Sequence, residues 1–294
     1  MGKTRARGGR AKKARFRIRA ALVLAGLALA AAAALLLRPG GGGDPDIFAA
    51  AAVVMDARTG RVLYEKNPRA QLMPSSITKL AALLLVFEAI DGGRLDLGAE
   101  IEVSARAAAV NASRAGFLAG DVATAHGLIM AAMLPSGSEA VMALGEHLFG
   151  TEEAFVEAMN AAAARLGMDG THFTSSAGLD DPLHVTTARD VALLAGHLVR
   201  SYPRILDYSS LESYVYQMPD GRQMHMRNTN DMLARGGVTG LKTGSSGLSG
   251  SSIVLTYERG RGTQVYVVLS APSAAWRRHD AGLLLDMFGG RGRT

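Results

Sequence analysis

The chain of 294 residues contains no cysteine, which excludes disulfide bonds, thiolate metal sites and cysteine nucleophiles. Aromatic residues make up only 5% of it. Hydrophobic residues still account for 48%, enough for the core of one large domain or two small ones. None of the seven histidines lies in a metal-binding spacing such as His-Glu-x-x-His, so we predict no metal and no other cofactor.

Acidic residues are absent from positions 1–43, which carry ten basic side chains. The whole chain has a formal net charge of +6, but positions 44–294 hold 22 basic and 26 acidic side chains and so carry −4. The positive charge therefore belongs to an N-terminal tail. We predict no nucleic-acid partner, because such proteins concentrate basic side chains on their folded part.

An uninterrupted run of 18 uncharged residues follows nine cations of this tail. As an α-helix it would be about 27 Å long, close to the hydrocarbon thickness of a bilayer, about 30 Å. The cations favour the cytoplasmic side, which orients the rest of the chain outside. We therefore predict a cytoplasmic tail (1–19), a single-pass signal anchor (20–37), a Gly/Pro linker (38–46) and an extracytoplasmic folded domain (47–290).

A cleaved signal peptide is the main alternative to the anchor, and it would make the domain a secreted one. Against it, the apolar run is longer than a usual signal peptide core, and residues 35–38 close it without a clear small-residue cleavage site. A buried helix of a soluble protein is the third possibility for the same run.

Short β-prone runs lie at both ends of the folded part, with helix-prone stretches between them. The predicted strands are 51–57 and 61–65, which form a hairpin, and 253–257 and 264–269; the predicted helices are 76–90, several within 126–202, and 280–288. A capping box at 187–190 is predicted to open one of the middle helices. The pattern predicts an α+β domain whose sheet joins the two ends of the chain.

Lysine is scarce, with 6 residues against 26 arginines, and three of the six lie in the N-terminal tail. Only Lys66, Lys79 and Lys242 remain in the folded part. An arginine stays protonated, whereas a lysine amine can lose its proton where its surroundings disfavour charge. Chance survival of three lysines is the competing explanation, so their neighbours decide.

Lys79 ends a Ser-x-x-Lys pattern, Ser76-Ile77-Thr78-Lys79, just after Pro74. In the first turn of a helix, residues three apart share a face, so the hydroxyl and the amine can hydrogen-bond. A neutral lysine can then take the serine's proton and make it a nucleophile. Lys242 begins Lys242-Thr243-Gly244, and a second cation close to Lys79 would lower the pKa of Lys79.

Together these motifs resemble those of the serine-type D-alanyl-D-alanine carboxypeptidases, which are low-molecular-weight penicillin-binding proteins of the Ser-x-x-Lys acyltransferase family. Further segments agree in order and spacing: 134–140 at the place of a Ser-x-Asn motif, 178–181 with 184–190, and 227–230. The match runs from about residue 48 to residue 289. It implies a penicillin-binding/β-lactamase-like transpeptidase fold, with an antiparallel sheet from the N- and C-terminal strands and a mainly helical middle subdomain.

The resemblance implies a reaction and its residues. Ser76 would attack the carbonyl between the last two D-alanines of a peptidoglycan stem peptide, with Lys79 as base and Ser136 as proton relay. β-Lactams would acylate the same serine as covalent inhibitors. The cell would be bacterial, and the membrane a partner through the N-terminal helix. Substrate-binding roles are implied for Lys242, Thr243, Gly244, Ser245, Ser138 and Arg277.

In the implied reaction, the backbone N–H groups of Ser76 and Ser245 would form the oxyanion hole. Lys242 and Thr243 would hold the terminal carboxylate of the substrate. Arg277 would assist them, since a guanidinium suits bidentate carboxylate recognition; the alternative for Arg277 is a solvated surface charge.

The sequence departs from the family pattern at Ser138, which replaces the asparagine of Ser-x-Asn. Serine is shorter and has a single donor, so a water would have to fill the gap, which would slow acylation or change how the peptide seats. Two alternatives stay open: a β-lactamase of the same fold, and a catalytically weak peptidoglycan-binding relative. Retention of Ser76, Lys79, Ser136 and Lys242 favours an enzyme over a binding protein.

The remaining expectations are structural. His184 is predicted to be structural, because the lysine pair already fills the role of base. The methionines at 130, 133, 142 and 159 are predicted to fill the core. Many family members carry a further β-rich domain and a C-terminal amphipathic anchor, and here we expect the N-terminal segment to provide the tether.

Overall fold

A computed structural model describes residues 46–260 and 262–289. The predicted tail and membrane anchor, and all but the last residue of the predicted linker, lie outside these ranges. None of the helices inside them is long and apolar enough to cross a membrane.

The first and the last strands along the chain belong to the same sheet. The helices are α1 (Lys79–Asp91), α2 (Ala105–Ala108), α3 (Ala125–Met133), α4 (Ser138–Phe149), α5 (Glu152–Arg165), α6 (Ala188–Ser201), α7 (Ile205–Ser209) and α8 (Ala274–Phe288), and a 3-10 turn (Ser75–Thr78) leads into α1. The strands are β1 (Ala51–Asp56), β2 (Val62–Lys66), β3 (Glu100–Glu102), β4 (Val122–Thr124), β5 (Ser213–Gln217), β6 (Gln223–Arg227), β7 (Val238–Ser246), β8 (Gly250–Arg259) and β9 (Gly262–Ala271).

Five of these strands form an antiparallel sheet in the order β2-β1-β9-β8-β7. In its centre Val53 of β1 lies opposite Val267 of β9, so the first strand of the domain pairs with the last. This confirms the α+β prediction and the joining of the chain's two ends. Lys66, at the end of β2, donates to the carbonyl oxygens of Ile47 and Ala49 and ties the start of the domain to the sheet.

The central strands read as continuous apolar runs because both faces of the sheet are covered. In β1, Val53 and Met55 belong to a large apolar cluster shared with α1, α3, α4 and α6. Ala52 and Val54 point the other way, into a smaller cluster shared with α8. The four methionines predicted to fill the core are all buried in the larger cluster.

Several boundaries differ from the sequence-based expectation for local reasons. The predicted helix 76–90 starts as a 3-10 turn and becomes α-helical only at Lys79. Helix α8 begins at Ala274, six residues earlier than predicted, because the Ser273 hydroxyl accepts from the N–H of Trp276. Only one half of the predicted capping box is present. The Thr187 hydroxyl accepts from the N–H of Asp190 at the start of α6, whereas the Asp190 carboxylate accepts from Gly170 and Thr171.

Two small antiparallel pairs were not predicted: β3 with β4, and β5 with β6. A signal for the second was present, because Pro219-Asp220-Gly221 is a turn sequence between two alternating runs. Strand β7 was also missed. Lys242 was expected just before the C-terminal strands, but it lies inside the sheet's edge strand, where Gly240 and Gly244 disguise the β pattern.

Candidate active site

The Ser-x-x-Lys turn places a half-buried hydroxyl beside a fully buried amine. Ser76 is partly exposed, whereas Lys79, the first residue of α1, has no exposed surface. Lys79 Nζ lies within hydrogen-bond distance of three oxygens: Ser76 Oγ at 2.9 Å, the Ala177 carbonyl at 3.1 Å and Ser136 Oγ at 3.4 Å. Three of the predicted catalytic side chains therefore meet around one nitrogen.

Burial is the main cause of the unusual chemistry of this amine. It lowers the pKa of Lys79 to about 7, against an opposing effect of the Glu139 carboxylate. Burial also holds the pKa of Lys242 well below its usual range, and the cations Lys79 and Arg277 add to the effect. The second lysine was expected to depress the pKa of Lys79, but the lowering comes from desolvation of Lys79 itself.

The Lys-Thr-Gly strand packs directly against the Ser-x-x-Lys turn. A β-carbon at Gly244 would lie 2.9 Å from the Pro74 carbonyl oxygen and 3.1 Å from the Ile77 nitrogen. Such distances are too short for any side chain, so glycine is required for β7 to approach the turn. This contact brings Lys242 and Thr243 to the residues around Ser76.

A second segment closes the turn from the opposite side. A β-carbon at Gly178, which has a φ of +80°, would lie 2.0 Å from the Ser75 carbonyl oxygen. Ser175 Oγ accepts from the N–H groups of Gly178 and Leu179, which fixes this tight loop. The loop carries the Ala177 carbonyl that faces Lys79.

Ser136 lies in a left-handed conformation, with φ +65°, between α3 and α4. Its carbonyl accepts from Ser113 Oγ at 2.8 Å, and the Ser138 N–H donates to the Ser113 carbonyl at 2.8 Å. Thr229 joins this segment to the edge strand, because its N–H donates to the Leu134 carbonyl and its hydroxyl accepts from Thr243 at 2.6 Å. The motifs that were separate in sequence are thus connected by hydrogen bonds.

Ser138 and its neighbour are unusual buried groups. Ser138 is fully buried, and its hydroxyl has no hydrogen-bond partner among the described residues. Glu139 is also fully buried, and its Oε1 accepts from the N–H groups of Ala115, Gly116 and Phe117. Glu139 was not predicted as a site residue, although an acid directly after a catalytic motif in an apolar helix was a visible signal.

Arg277 is buried, so its interpretation as a solvated surface charge is wrong. Its guanidinium forms an ion pair with Asp231 at 2.7 Å and donates to Ser251 Oγ at 3.3 Å. Ser251 lies opposite the exposed Ser245 in the β7–β8 pair. Arg277 is therefore close to the edge strand and already neutralised in part by Asp231, which the sequence-based argument did not single out.

His184 lies behind the turn and not at the reacting centre. Its Nδ1 accepts from the Thr174 N–H at 2.9 Å, so Nε2 carries the hydrogen that reaches Thr78 Oγ1 at 2.8 Å. Burial lowers the pKa of His184 to about 4, which keeps the ring neutral. This agrees with the structural role predicted for it.

In the described part of the chain, no group of three or more His, Asp or Glu side chains is placed to hold a metal ion. The expectation that the protein works without a metal or cofactor remains a prediction.

Comparison with known proteins supports the resemblance that the motifs indicate. The model of the D-alanyl-D-alanine carboxypeptidase family matches residues 41–273. The D-alanyl-D-alanine carboxypeptidase DacF of Bacillus subtilis is 31% identical over 240 residues, which cover 81% of this chain and 61% of that protein. A D-alanyl-D-alanine carboxypeptidase of Streptomyces strain K15 is 29% identical over 287 residues, 92% of this chain and 97% of the relative.

Among solved structures, penicillin-binding protein D2 of Listeria monocytogenes, in its ampicillin-bound form, superposes with a TM-score of 0.75 at 28% identity. The match covers 84% of this chain and all of that one. This confirms the predicted fold class. The chain spans about three fifths of the length of the first curated relatives that it matches.

The contact at Gly244 generates a stability prediction. Gly244→Ala should lower the free energy of unfolding by about 1–3 kcal/mol, because the added methyl group overpacks the contact between β7 and the turn. Urea unfolding followed by circular dichroism measures it. Gly247→Ala is the matched control, since a β-carbon at Gly247 meets nothing within 4 Å. Equal stability of the two variants would contradict the close contact.

Proposed function

Because the chain belongs to the D-alanyl-D-alanine carboxypeptidase family, we propose that it is a serine-type D-Ala-D-Ala carboxypeptidase. It removes the terminal D-alanine from peptidoglycan stem peptides through an acyl-enzyme on Ser76. The observation that carries the proposal is the 2.9 Å contact between Ser76 Oγ and the amine of Lys79, whose pKa burial lowers to about 7.

The three contacts of Lys79 suit a general base. A neutral amine has two N–H groups and one lone pair. The Ala177 carbonyl can only accept, so it takes one N–H, and Ser136 Oγ can accept the other. The lone pair is then left for the hydroxyl hydrogen of Ser76. This arrangement makes Lys79 ready to take the proton as Ser76 Oγ attacks the peptide carbonyl.

The proton then has a short route to the leaving group. As the C–N bond breaks, Lys79 returns the proton through Ser136 to the amine of the departing D-alanine. The ester on Ser76 is hydrolysed when water attacks it and the serine is restored. We propose the backbone N–H groups of Ser76 and Ser245 as the oxyanion hole; loss of one such donor commonly costs about 3 kcal/mol of barrier.

The substrate's terminal carboxylate is proposed to bind at the edge strand. Lys242, Thr243 and Arg277 supply the cation and the hydroxyl, and Gly244 permits the close approach of β7. The low pKa of Lys242 is consistent with this role, since an arriving carboxylate would favour its charged form. Ser138 is proposed to take the place of the usual asparagine, and because its hydroxyl is fully buried it would reach the substrate through a water.

β-Lactams are proposed to acylate Ser76. The support is the relative of known structure with bound ampicillin, together with the serine–lysine geometry described above. The retained base and relay also favour an enzyme over a wall-binding protein without activity.

The proposed site of action is the outer face of a bacterial cell membrane, with residues 47–290 as the catalytic domain. Support comes from the sequence alone, where nine cations precede 18 uncharged residues and a glycine-rich linker. If the segment is instead cleaved as a signal peptide, the same domain is secreted.

The decisive experiment measures D-alanine release. The full chain in detergent is incubated with a peptide ending in D-Ala-D-Ala, and separately with fluorescent penicillin. We expect release and stable labelling in the wild type and neither in Ser76→Ala, because the hydroxyl forms the ester. Thr59→Ala, in the exposed turn between β1 and β2, serves as a handling control.

The other outcomes separate the alternatives. Rapid, repeated turnover of penicillin with little D-alanine release would indicate a β-lactamase. Binding of peptidoglycan without release or labelling would indicate a catalytically weak relative, with Ser138 as the first residue to suspect.

The pH dependence tests the base. Acylation should rise as the pH increases through about 7, because only the neutral form of Lys79 accepts a proton. Glu139 raises this pKa, and the charge of Lys79 in turn helps to lower the pKa of Lys242. Glu139→Gln keeps an oxygen for the three N–H groups but removes the charge, so the rise should move to lower pH. Pre-steady-state labelling across pH measures it, and a shift to higher pH would contradict the assignment.

A further inference from the structure

The Ala177 carbonyl is the contact of Lys79 that involves no hydroxyl. A hydroxyl can turn and act as donor or acceptor, whereas a carbonyl only accepts. The position of this oxygen therefore decides which way the lone pair of the neutral amine points. Whatever holds Ala177 in place also controls how well Lys79 is aimed at Ser76.

Glu152 binds Ser176, the residue that precedes Ala177. At the start of α5, Glu152 is 7% exposed, and its Oε1 accepts from the N–H of Ser176 at 2.8 Å. Its Oε2 accepts from the Ser176 hydroxyl at 2.9 Å. Both polar groups of Ser176 that can donate are thus bound by a single carboxylate.

This part of the loop is buried, and Ala177 belongs to the large apolar cluster, but one side of it borders open space. A cavity of about 440 Å³ lies against it, lined by Ser175, Ala177 and Glu152 among others. The ends of the loop are held separately, by the contact of Gly178 with the Ser75 carbonyl and by the hydrogen bonds between Asn160 and Phe173. Two sets of hydrogen bonds fix its middle. Ser175 Oγ accepts from the Gly178 N–H, which belongs to the same peptide group as the Ala177 carbonyl, and Glu152 binds the N–H and the hydroxyl of Ser176.

The cost of burying Glu152 supports a specific role. Burial raises the pKa of Glu152, and the two bonds from Ser176 work against that effect. A buried carboxylate is expensive unless it is hydrogen-bonded, and an apolar residue would fill the same place without that cost. The hydrogen bonds from Ser176 offset part of the cost of burying the Glu152 carboxylate.

We propose that Glu152 is a positioning residue for the reaction at Ser76. Through Ser176 it holds the Ala177 carbonyl against Lys79, so that the amine's lone pair faces the serine hydroxyl. The proposal rests on the function proposed above, because it assigns a means of aiming the base in that same site.

The test separates the acylation step from binding. Glu152→Gln retains one acceptor oxygen but replaces the other by an NH2 group that cannot accept from Ser176. In stopped-flow reactions of the full chain in detergent with fluorescent penicillin, the acylation rate constant should fall about 10- to 100-fold, because small misplacements of a reacting group have effects of this size. The dissociation constant of the initial complex should stay within about twofold of the wild type. The proposed role of Glu152 concerns acylation and not the docking of penicillin, and the variant loses no hydrogen bond to penicillin.

Matched variants exclude a general loss of structure. Glu153→Gln removes a neighbouring carboxylate that is exposed and paired with Arg106, and it should acylate at the wild-type rate. Ser176→Ala should lower the rate less, because it keeps the backbone N–H. The double variant Glu152→Gln/Ser176→Ala should be no slower than Glu152→Gln alone, since both changes break the same connection. Melting temperatures are measured for all four.

The possible results are distinct. If the wild type labels at Ser76 but Glu152→Gln acylates at an unchanged rate, the positioning role is wrong while the proposed function stands. The same conclusion follows if the loss of rate is matched by a loss of initial affinity or of folded protein. If the wild type neither labels nor releases D-alanine, the proposed function itself fails, and the positioning role with it.

Discussion

The structure depends on the removal of one lysine amine from water. Lys79 Nζ is fully buried, and this burial lowers the pKa of the amine to about 7, while three oxygens that face it keep it hydrogen-bonded. A solvated lysine at the same distance from a serine would remain protonated and could not act as a base. The surrounding segments exclude water from that amine and orient it toward Ser76.

Backbone contacts hold these segments around the amine as much as side-chain contacts do. Two glycines allow segments far apart in sequence to reach the Ser-x-x-Lys turn: Gly244 from the edge strand and Gly178 from the loop before α6. Two buried acids then fix loops by accepting backbone N–H groups, Glu139 at residues 115–117 and Glu152 at Ser176. One of these acids also acts on the charge of Lys79.

Much of this could be predicted from the sequence, for identifiable reasons. The hairpin and the C-terminal strands are local patterns and are confirmed, and the Thr187 half of the predicted capping box is present. The fold class followed from strands at both ends of the domain. The prediction was weakest where glycine interrupts a pattern, as in β7, and where a residue's meaning depends on what it contacts. Arg277 could equally have been a surface charge, and Glu139, Glu152 and Asp231 were not singled out.

The sequence by itself determined the candidate chemistry, because a serine and a lysine three residues apart share one face of a helical turn, and because the Ser-x-x-Lys and Lys-Thr-Gly motifs mark this family. Only the tertiary structure decided how the amine is tuned. Burial is a property of everything packed around a group, and it is burial that lowers the pKa of Lys79. The residues that create this environment lie as many as 60 to 165 positions away, and no local pattern carries that information.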